Sequence, residues 1–427
     1  MIRTESLLLS LPSEVLFAIA THLQPADLSA LARTCRLLHS WTVGNEPLFR
    51  SVFLREYDAR PLTHDSTYES DLKQRTLMRN VLQGFKCQAR PTIEPLGYLN
   101  LLRNVVEIAR QGYINDDGTP SRNIRILHQL LPADDEFVFR VVKFAESCLL
   151  LATVEQAVEF TNLLNQFKCF YGPMAQSFQA PHIFRSIRRT YTAANKLFGA
   201  DCSVQWLHVE ATRNVLVDNV RDAIISEDWG MLPGSRTKLE LPGSRAWSDT
   251  ATGGAGKSRN PKDWAGVELK WVGTYAFIDF QVHSLINSPA FAHTAIPPAH
   301  LRRQGIGELL TLEMQLADCT EEPTAENPYP QLLFTGKLVT PHAIEFPQLT
   351  VQGSVTRGDH EQDDAIRWLF TIMYEGRDQW ILSGLQIGQE RSKMGVMGTW
   401  QHASTIEGAE AAPGPVGPFW WFVDTRG

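Results

Sequence analysis

Apolar residues recur every three to four positions along roughly the first half of the chain and every second position along much of the rest, and this change of period divides the sequence. Near the N-terminus Val15, Leu16, Ile19 and Leu23 form a stripe at helical spacing, with Pro12 in the first turn and Glu14 at the positive end of the helix dipole. A second start at Pro25, with Asp27 in its first turn, carries Leu28, Leu31, Ala32 and Cys35. Pro47 opens a third, carrying Leu48, Phe49, Val52 and Phe53. Residues 5–60 are therefore expected to form three short helices.

The helical period continues over 61–230, as in Tyr98 to Ala109 and in the long stretch from Asp134 to Phe167, with breaks expected at Pro132, Pro173 and Pro181. Between 231 and 262 the segment Leu-Pro-Gly-Ser-Arg occurs twice, at Leu232 and Leu241, and Gly253, Gly254 and Gly256 follow. Such a stretch cannot bury enough apolar surface to offset its ordering entropy, so a disordered loop is expected. From 263 to 427 alternation takes over, with strands expected at Val267–Phe280, Gln331–Val339, Leu349–Thr356, Ala365–Tyr374, Gln379–Ile387, Gly395–Gln401 and Pro418–Val423. Turn signals at Arg357-Gly358-Asp359 and Glu375-Gly376-Arg377 separate them, and Glu321 to Pro328 reads as a low-order insertion. The expected fold class is α+β: a three-helix N-terminal block, a helical middle region and a C-terminal antiparallel β-barrel or sandwich. Seven of the eleven tryptophans fall in the β-rich part, where large aromatics on inward strand positions fill a barrel.

At 427 residues with 43% hydrophobic content the chain can bury more than one core. Its 40 basic and 47 acidic residues leave a formal charge of -7, no footprint for gripping phosphate backbones, so nucleic acid is not an expected partner. The six cysteines lie far apart without a Cys-x-x-Cys pair and read as reduced, mostly buried thiols; no metal site is expected. Leu7 to Leu11 is cut short by Pro12 and Glu14, so it is no secretory h-region, and no run of about 18 apolar residues calls for a membrane. Cytosol or nucleus is the expected compartment.

The N-terminal block resembles the F-box. Leu11-Pro12-Ser13-Glu14-Val15-Leu16, then Ile19, Leu23, Asp27-Leu28, Leu31, Cys35-Arg36 and Leu48-Phe49 carry the match, with Phe49 where the family usually has Trp. That resemblance implies helices packed against a Skp-type adaptor, which in turn holds a cullin, and hence a role in ubiquitin transfer. Leu11, Pro12, Val15, Leu16, Ile19, Leu23, Leu28 and Leu31 are the residues it assigns to adaptor contact or to the packing that presents it. Further along, Arg367-Trp368, Gln379-Trp380, Gly384 to Gly388, Arg391-Ser392, Gly395 to Trp400 and Gly414 to Trp420 look like the C-terminal domain of a group of fungal F-box proteins. This second resemblance implies a loosely lipocalin-like β architecture and names no ligand.

Catalytic signatures are weak by comparison. Ala251 to Ser258 fits a relaxed P-loop, yet Pro242 to Thr250 is no buried strand and Pro261 would sit in the helix that must follow. Gly305-Ile-Gly307 lacks the third glycine of a dinucleotide loop, and there is no Gly-x-Ser-x-Gly or His-Glu-x-x-His. His182, His283 and His342 are scattered, and Arg185, Arg188 and Arg189 read as a solvated helix face. No catalytic residue and no cofactor is expected. The function implied is substrate recognition in a Skp-cullin-F-box ubiquitin ligase, with an unknown protein substrate held by the C-terminal region. The alternative is a small-ligand-binding β-barrel whose F-box assembles a complex without ubiquitin transfer.

Overall fold

The structure is a computed structural model that describes residues 7–59, 67–87, 93–112, 119–131, 135–172, 175–179, 182–192, 197–199, 201–225, 260, 262–289, 304–307, 309–324, 327–339, 349–358, 365–403 and 416–424. It divides into two compact units, Met1–Ala157 and Val158–Gly427. The loop expected over 231–262, apart from Asn260 and Lys262, lies outside the described residues, as do the P-loop-like segment and His342.

In the first unit a 3-10 turn at Leu7–Ser10 leads into α1 (Ser13–Thr21), α2 (Pro25–Ala32), α3 (Arg36–Thr42) and α4 (Glu46–Glu56). The expected second helix is α2, and α3 is an additional helix between it and the one opened by Pro47. Arg33 and Thr34 donate backbone N–H bonds to Ala30 and Leu31, tightening the last turn of α2, and the extended Cys35 restarts the chain as α3. Asn45 caps α4 by accepting from the Leu48 N–H, with Pro47 in its first turn. Arg55 of α4 donates to the carbonyls of Thr21 and Leu23, satisfying chain that leaves α1 with no helical partner.

Of these helices α2 and α4 pack on α5 (Tyr68–Lys86), which leads to α6 (Pro95–Arg110), α7 (Arg122–Leu130) and α8 (Asp135–Leu149). Arg75 of α5 is buried with its guanidinium 4.8 Å from the Phe53 ring and 4.5 Å from the Tyr57 ring, an arrangement that draws on cation–π attraction where water is excluded. Past α4, the Asp58 carboxylate accepts from the Arg122 and Asn123 N–H groups at 3.1 and 3.0 Å, closing the N-terminus of α7. The single helical stretch expected from Asp134 to Phe167 is interrupted. Gln156 N–H donates to Thr153 Oγ1 and Thr153 N–H to Gln156 Oε1, a reciprocal box that starts α9 (Val154–Tyr171) afresh.

In the second unit β1 (Lys270–Ile278), β3 (Leu310–Cys319), β4 (Leu332–Val339), β5 (Leu349–Arg357), β6 (Ile366–Tyr374), β7 (Arg377–Gln386), β8 (Val396–His402) and β9 (Val416–Val423) pair antiparallel in that order, and β9 returns to β1. The result is a closed eight-stranded barrel, which settles the choice between barrel and sandwich. A short β2 (Gln304–Ile306) pairs with the far end of β1. The β6–β7 hairpin turns on Glu375 and Gly376, both at positive φ, as a two-residue loop between right-twisted strands requires. Inside lie Trp271, Leu312, Phe334, Trp368, Phe370 and Phe419. Outside, α11 (Trp206–Ile225) lays Val209, Leu216, Val217 and Val220 over Val272, Met397, Trp420 and Phe422. Coverage on both faces explains why β9 reads Phe419-Trp420-Trp421-Phe422-Val423 with no alternation. Three elements of this unit, β2, β3 and α12 (Phe280–Asn287), went unforeseen. β3 alternates plainly, and Asp279 accepts from Gln281 N–H to cap α12, where a strand was expected to continue.

Candidate functional site

Among the described residues apolar surface is uncovered at several places, the most exposed being Leu150, Leu151, Val154 and Val158 around the start of α9, and two others, one on each unit, have the form of a site. The first is on the N-terminal helices. Leu8, Leu9, Val15 and Ile19 are exposed, Val15 at 42% and Ile19 at 43%, and Pro12 lies between them at the start of α1. Three- and four-residue spacing puts Pro12, Val15 and Ile19 on one side of the helix. The neighbouring side turns Leu16 and Ala20 inward to a core with Leu28, Leu48, Val52 and Phe53. Of the eight residues singled out from the sequence, Pro12, Val15 and Ile19 are therefore on the surface, Leu16 and Leu28 are buried, and Leu11, Leu23 and Leu31 are half-buried. Leu37 of α3 and Val43 beyond it are also exposed, and neither was singled out.

The second place is one end of the barrel. The opposite end is sealed: buried Asp263 accepts from the N–H groups of Gly266, Val267 and Glu268 at 3.0, 2.7 and 3.0 Å, while Arg391 donates to its main-chain carbonyl at 3.0 Å. Burial pushes the Asp263 carboxyl above its ordinary value, although the backbone donors and Arg391 pull the other way. Trp264 donates to Pro330 O and Trp271 to Gly266 O, which fixes the plug against the strands.

At the other end a cavity of about 410 Å³ remains between the strands. Its aromatic wall is Tyr275, Phe277, Trp380, Trp400, Phe419 and Trp421. Trp400 stands edge-on to Tyr275 at 5.9 Å and to Trp380 at 5.1 Å, the geometry that aromatic quadrupoles favour. Gly305 within β2 and Gly307 just after it are glycines because the rings of Phe277 and Tyr275 occupy the space a Cβ would need. Of that pair, which resembled a truncated dinucleotide loop, Gly307 lines the cavity and Gly305 backs the Phe277 ring that does. The tryptophans here were expected to fill the interior; Trp271 and Trp368 do so, whereas Trp380, Trp400 and Trp421 line a hollow.

Other candidates resolve into structure. Among the described residues no group of three or more His, Cys, Asp or Glu could hold a metal ion, and no helix is long and apolar enough to cross a membrane. All six thiols are free, but only Cys148 and Cys169 are buried, and burial pushes Cys169 up to about 12. His283 faces Asn287 on α12, and burial holds its imidazole below the ordinary range. Arg185 is exposed and Arg188 and Arg189 are half-buried on α10 (His182–Thr190).

Residues 8–55 match the family model described as F-box-like. The matched span runs from the N-terminal 3-10 turn nearly to the end of α4 and contains the exposed apolar face. An F-box-like domain points to assembly into a ubiquitin ligase through a Skp-type adaptor, and proteins with this domain are typically non-catalytic subunits. No curated protein and no solved structure matched the chain.

Proposed function

We propose that the protein is the substrate-recognition subunit of a Skp-cullin-F-box ubiquitin ligase, acting without bond chemistry of its own. The observation that carries this reading is the coincidence of the F-box-like match at 8–55 with an exposed apolar stripe at Leu8, Pro12, Val15 and Ile19. Covering a large aliphatic side chain is worth roughly 1.5–3 kcal/mol, so a partner that buries this stripe gains a strong anchor. In this reading Leu11, Pro12, Val15 and Ile19 meet a Skp-type adaptor. Leu16, Leu23, Leu28 and Leu31 hold the helices that present them. The adaptor brings a cullin, and the C-terminal region brings a protein substrate, so a substrate lysine is kept at high effective concentration beside the ubiquitin-loaded enzyme. Such assemblies work in the cytosol or nucleus.

The test is capture of a purified Skp-type adaptor and cullin by the full chain, with the Leu11→Ala/Pro12→Ala double variant as control. Capture by the intact chain and its loss in the variant are the expected results. Failure of the intact chain to capture the adaptor would end this reading. The cavity favours a second one, a small-ligand-binding barrel whose F-box assembles a complex without ubiquitin transfer; there, adaptor capture would persist with no substrate modified.

A further inference from the structure

We infer that the hollow end of the barrel is a binding site for a neutral, largely apolar small molecule carrying a hydrogen-bond acceptor, such as a polycyclic or terpenoid ketone or ester. Three observations point there. First, the volume of about 410 Å³ is that of a small-molecule site, which typically spans about 300–1,000 Å³. Second, the aromatic wall is completed by Leu310, Leu338, Leu349, Ile372 and Leu382, and no charged side chain is among the described lining residues. A charged ligand would lose its hydration there with nothing to replace it.

The third observation is polar. Buried indole N–H groups normally find an acceptor. In this barrel Trp264, Trp271, Trp368, Trp400 and Trp420 donate respectively to Pro330 O, Gly266 O, Gln386 Oε1, Ala276 O and Met394 O. The Trp421 indole nitrogen is buried and has no acceptor among the described residues, and Trp421 lines the cavity. In this proposal the indole turns toward the hollow on binding, and a ligand carbonyl supplies the missing partner.

The ring closure argues for a small molecule over an extended peptide. Peptides that add to sheets need a free strand edge, and β1 and β3 to β9 close on themselves. The site is also separable from adaptor capture, since every lining residue belongs to the second unit.

Prodan, a neutral naphthalene bearing one ketone, is a suitable probe for the full chain, with anthracene as a probe of similar character that lacks an acceptor. Saturable binding of prodan at one site per chain, with a blue-shifted emission, is expected. Trp421→Phe keeps an aromatic ring and removes the N–H; it should weaken prodan by about tenfold, the worth of one buried hydrogen bond, and leave anthracene unchanged. Leu349→Trp, at a half-buried position, should fill the cavity and abolish binding of both probes while the far-UV circular dichroism stays that of the parent. Should that variant misfold, the two-probe comparison on Trp421→Phe still decides. No saturable prodan binding by the full chain would overturn the inference, and that is also what a cavity reserved for a partner protein's side chain would give. Equal prodan affinity in the parent and Trp421→Phe would overturn the assignment of the indole as donor.

Discussion

The N-terminal helices and the C-terminal barrel both leave apolar surface uncovered, in opposite shapes. On the helices the side chains point outward from a convex stripe, with Val15 and Ile19 above a thin core built on Leu16, Leu28 and Phe53. In the barrel they point inward around a hollow, behind a wall of paired strands that shares its outer face with α11. A convex stripe excludes water only when a surface of comparable size is laid against it, which means a protein. A concave one is satisfied by something that fits inside. The same kind of residue thus suits two kinds of partner, and what decides between them is whether the backbone curves away from the side chains or around them.

The largest effect that would break this comparison comes from the barrel core. Trp368 is almost fully buried, stands 5.3 Å from Trp271 and donates to Gln386, so Trp368→Ala should cost about 3–5 kcal/mol in denaturant unfolding of the second unit. Adaptor capture by the first unit should survive it; loss of both would show that the two units do not fold separately. Next, Leu28→Ala should destabilise the first unit by roughly 2–4 kcal/mol, because Leu28 is 1% exposed. Val15→Asp, by contrast, should shift stability by no more than about 0.5 kcal/mol while weakening adaptor capture at least tenfold, measured on the same preparations. A large stability loss in Val15→Asp would mean that the stripe is already covered. Arg55→Ala removes donors to Thr21 and Leu23 and should cost about 1–3 kcal/mol of the first unit's stability.

The smallest effect is one of pH, and it belongs to the barrel unit. Burial holds His283 and His208 below the usual imidazole value of 6.5, with the charge of Arg189 adding to the shift at His208. The unfolded chain takes up these protons near pH 6.5 and the folded one only at lower pH. The second unit's stability, full above that range, should therefore decline as pH falls through and below it. Denaturant midpoints at pH 7.5 and 5.5 check the sign, and His283→Gln should flatten the difference.

Much of this was legible in the order of residues. Prolines at 12, 25 and 47 marked the starts of α1, α2 and α4, and alternation marked β5 and, less strictly, β6. The Thr153–Gln156 box was equally readable, being a capping signature, but was hidden inside a stretch whose apolar period runs on either side of it. Barrel closure was not legible, since the pairing of Trp271 with Val423 and of Tyr275 with Phe419 joins residues far apart in sequence, and alternation on one strand says nothing about which strand it meets. For the N-terminal face, motif spacing identified the helix but could not divide surface residues from core ones. Val15 and Leu16 are adjacent and equally apolar, and only the packing of α1 on α4 turns one out and the other in. The cavity was hidden for a related reason: an inward tryptophan looks the same in sequence whether its far side meets another ring or empty space.

The β1–β9 seam also sets a schedule for synthesis. The helices of the first unit emerge from the ribosome early and rely on neighbours close in sequence, whereas β1 must wait for β9 until every intervening strand has been made. At about 5–20 residues per second that wait is roughly 10 to 30 s, during which the edge of β1 and the apolar side of α11 lack their final cover. A nascent chain interrupted in that interval would carry a finished F-box-like domain tethered to an unfinished barrel.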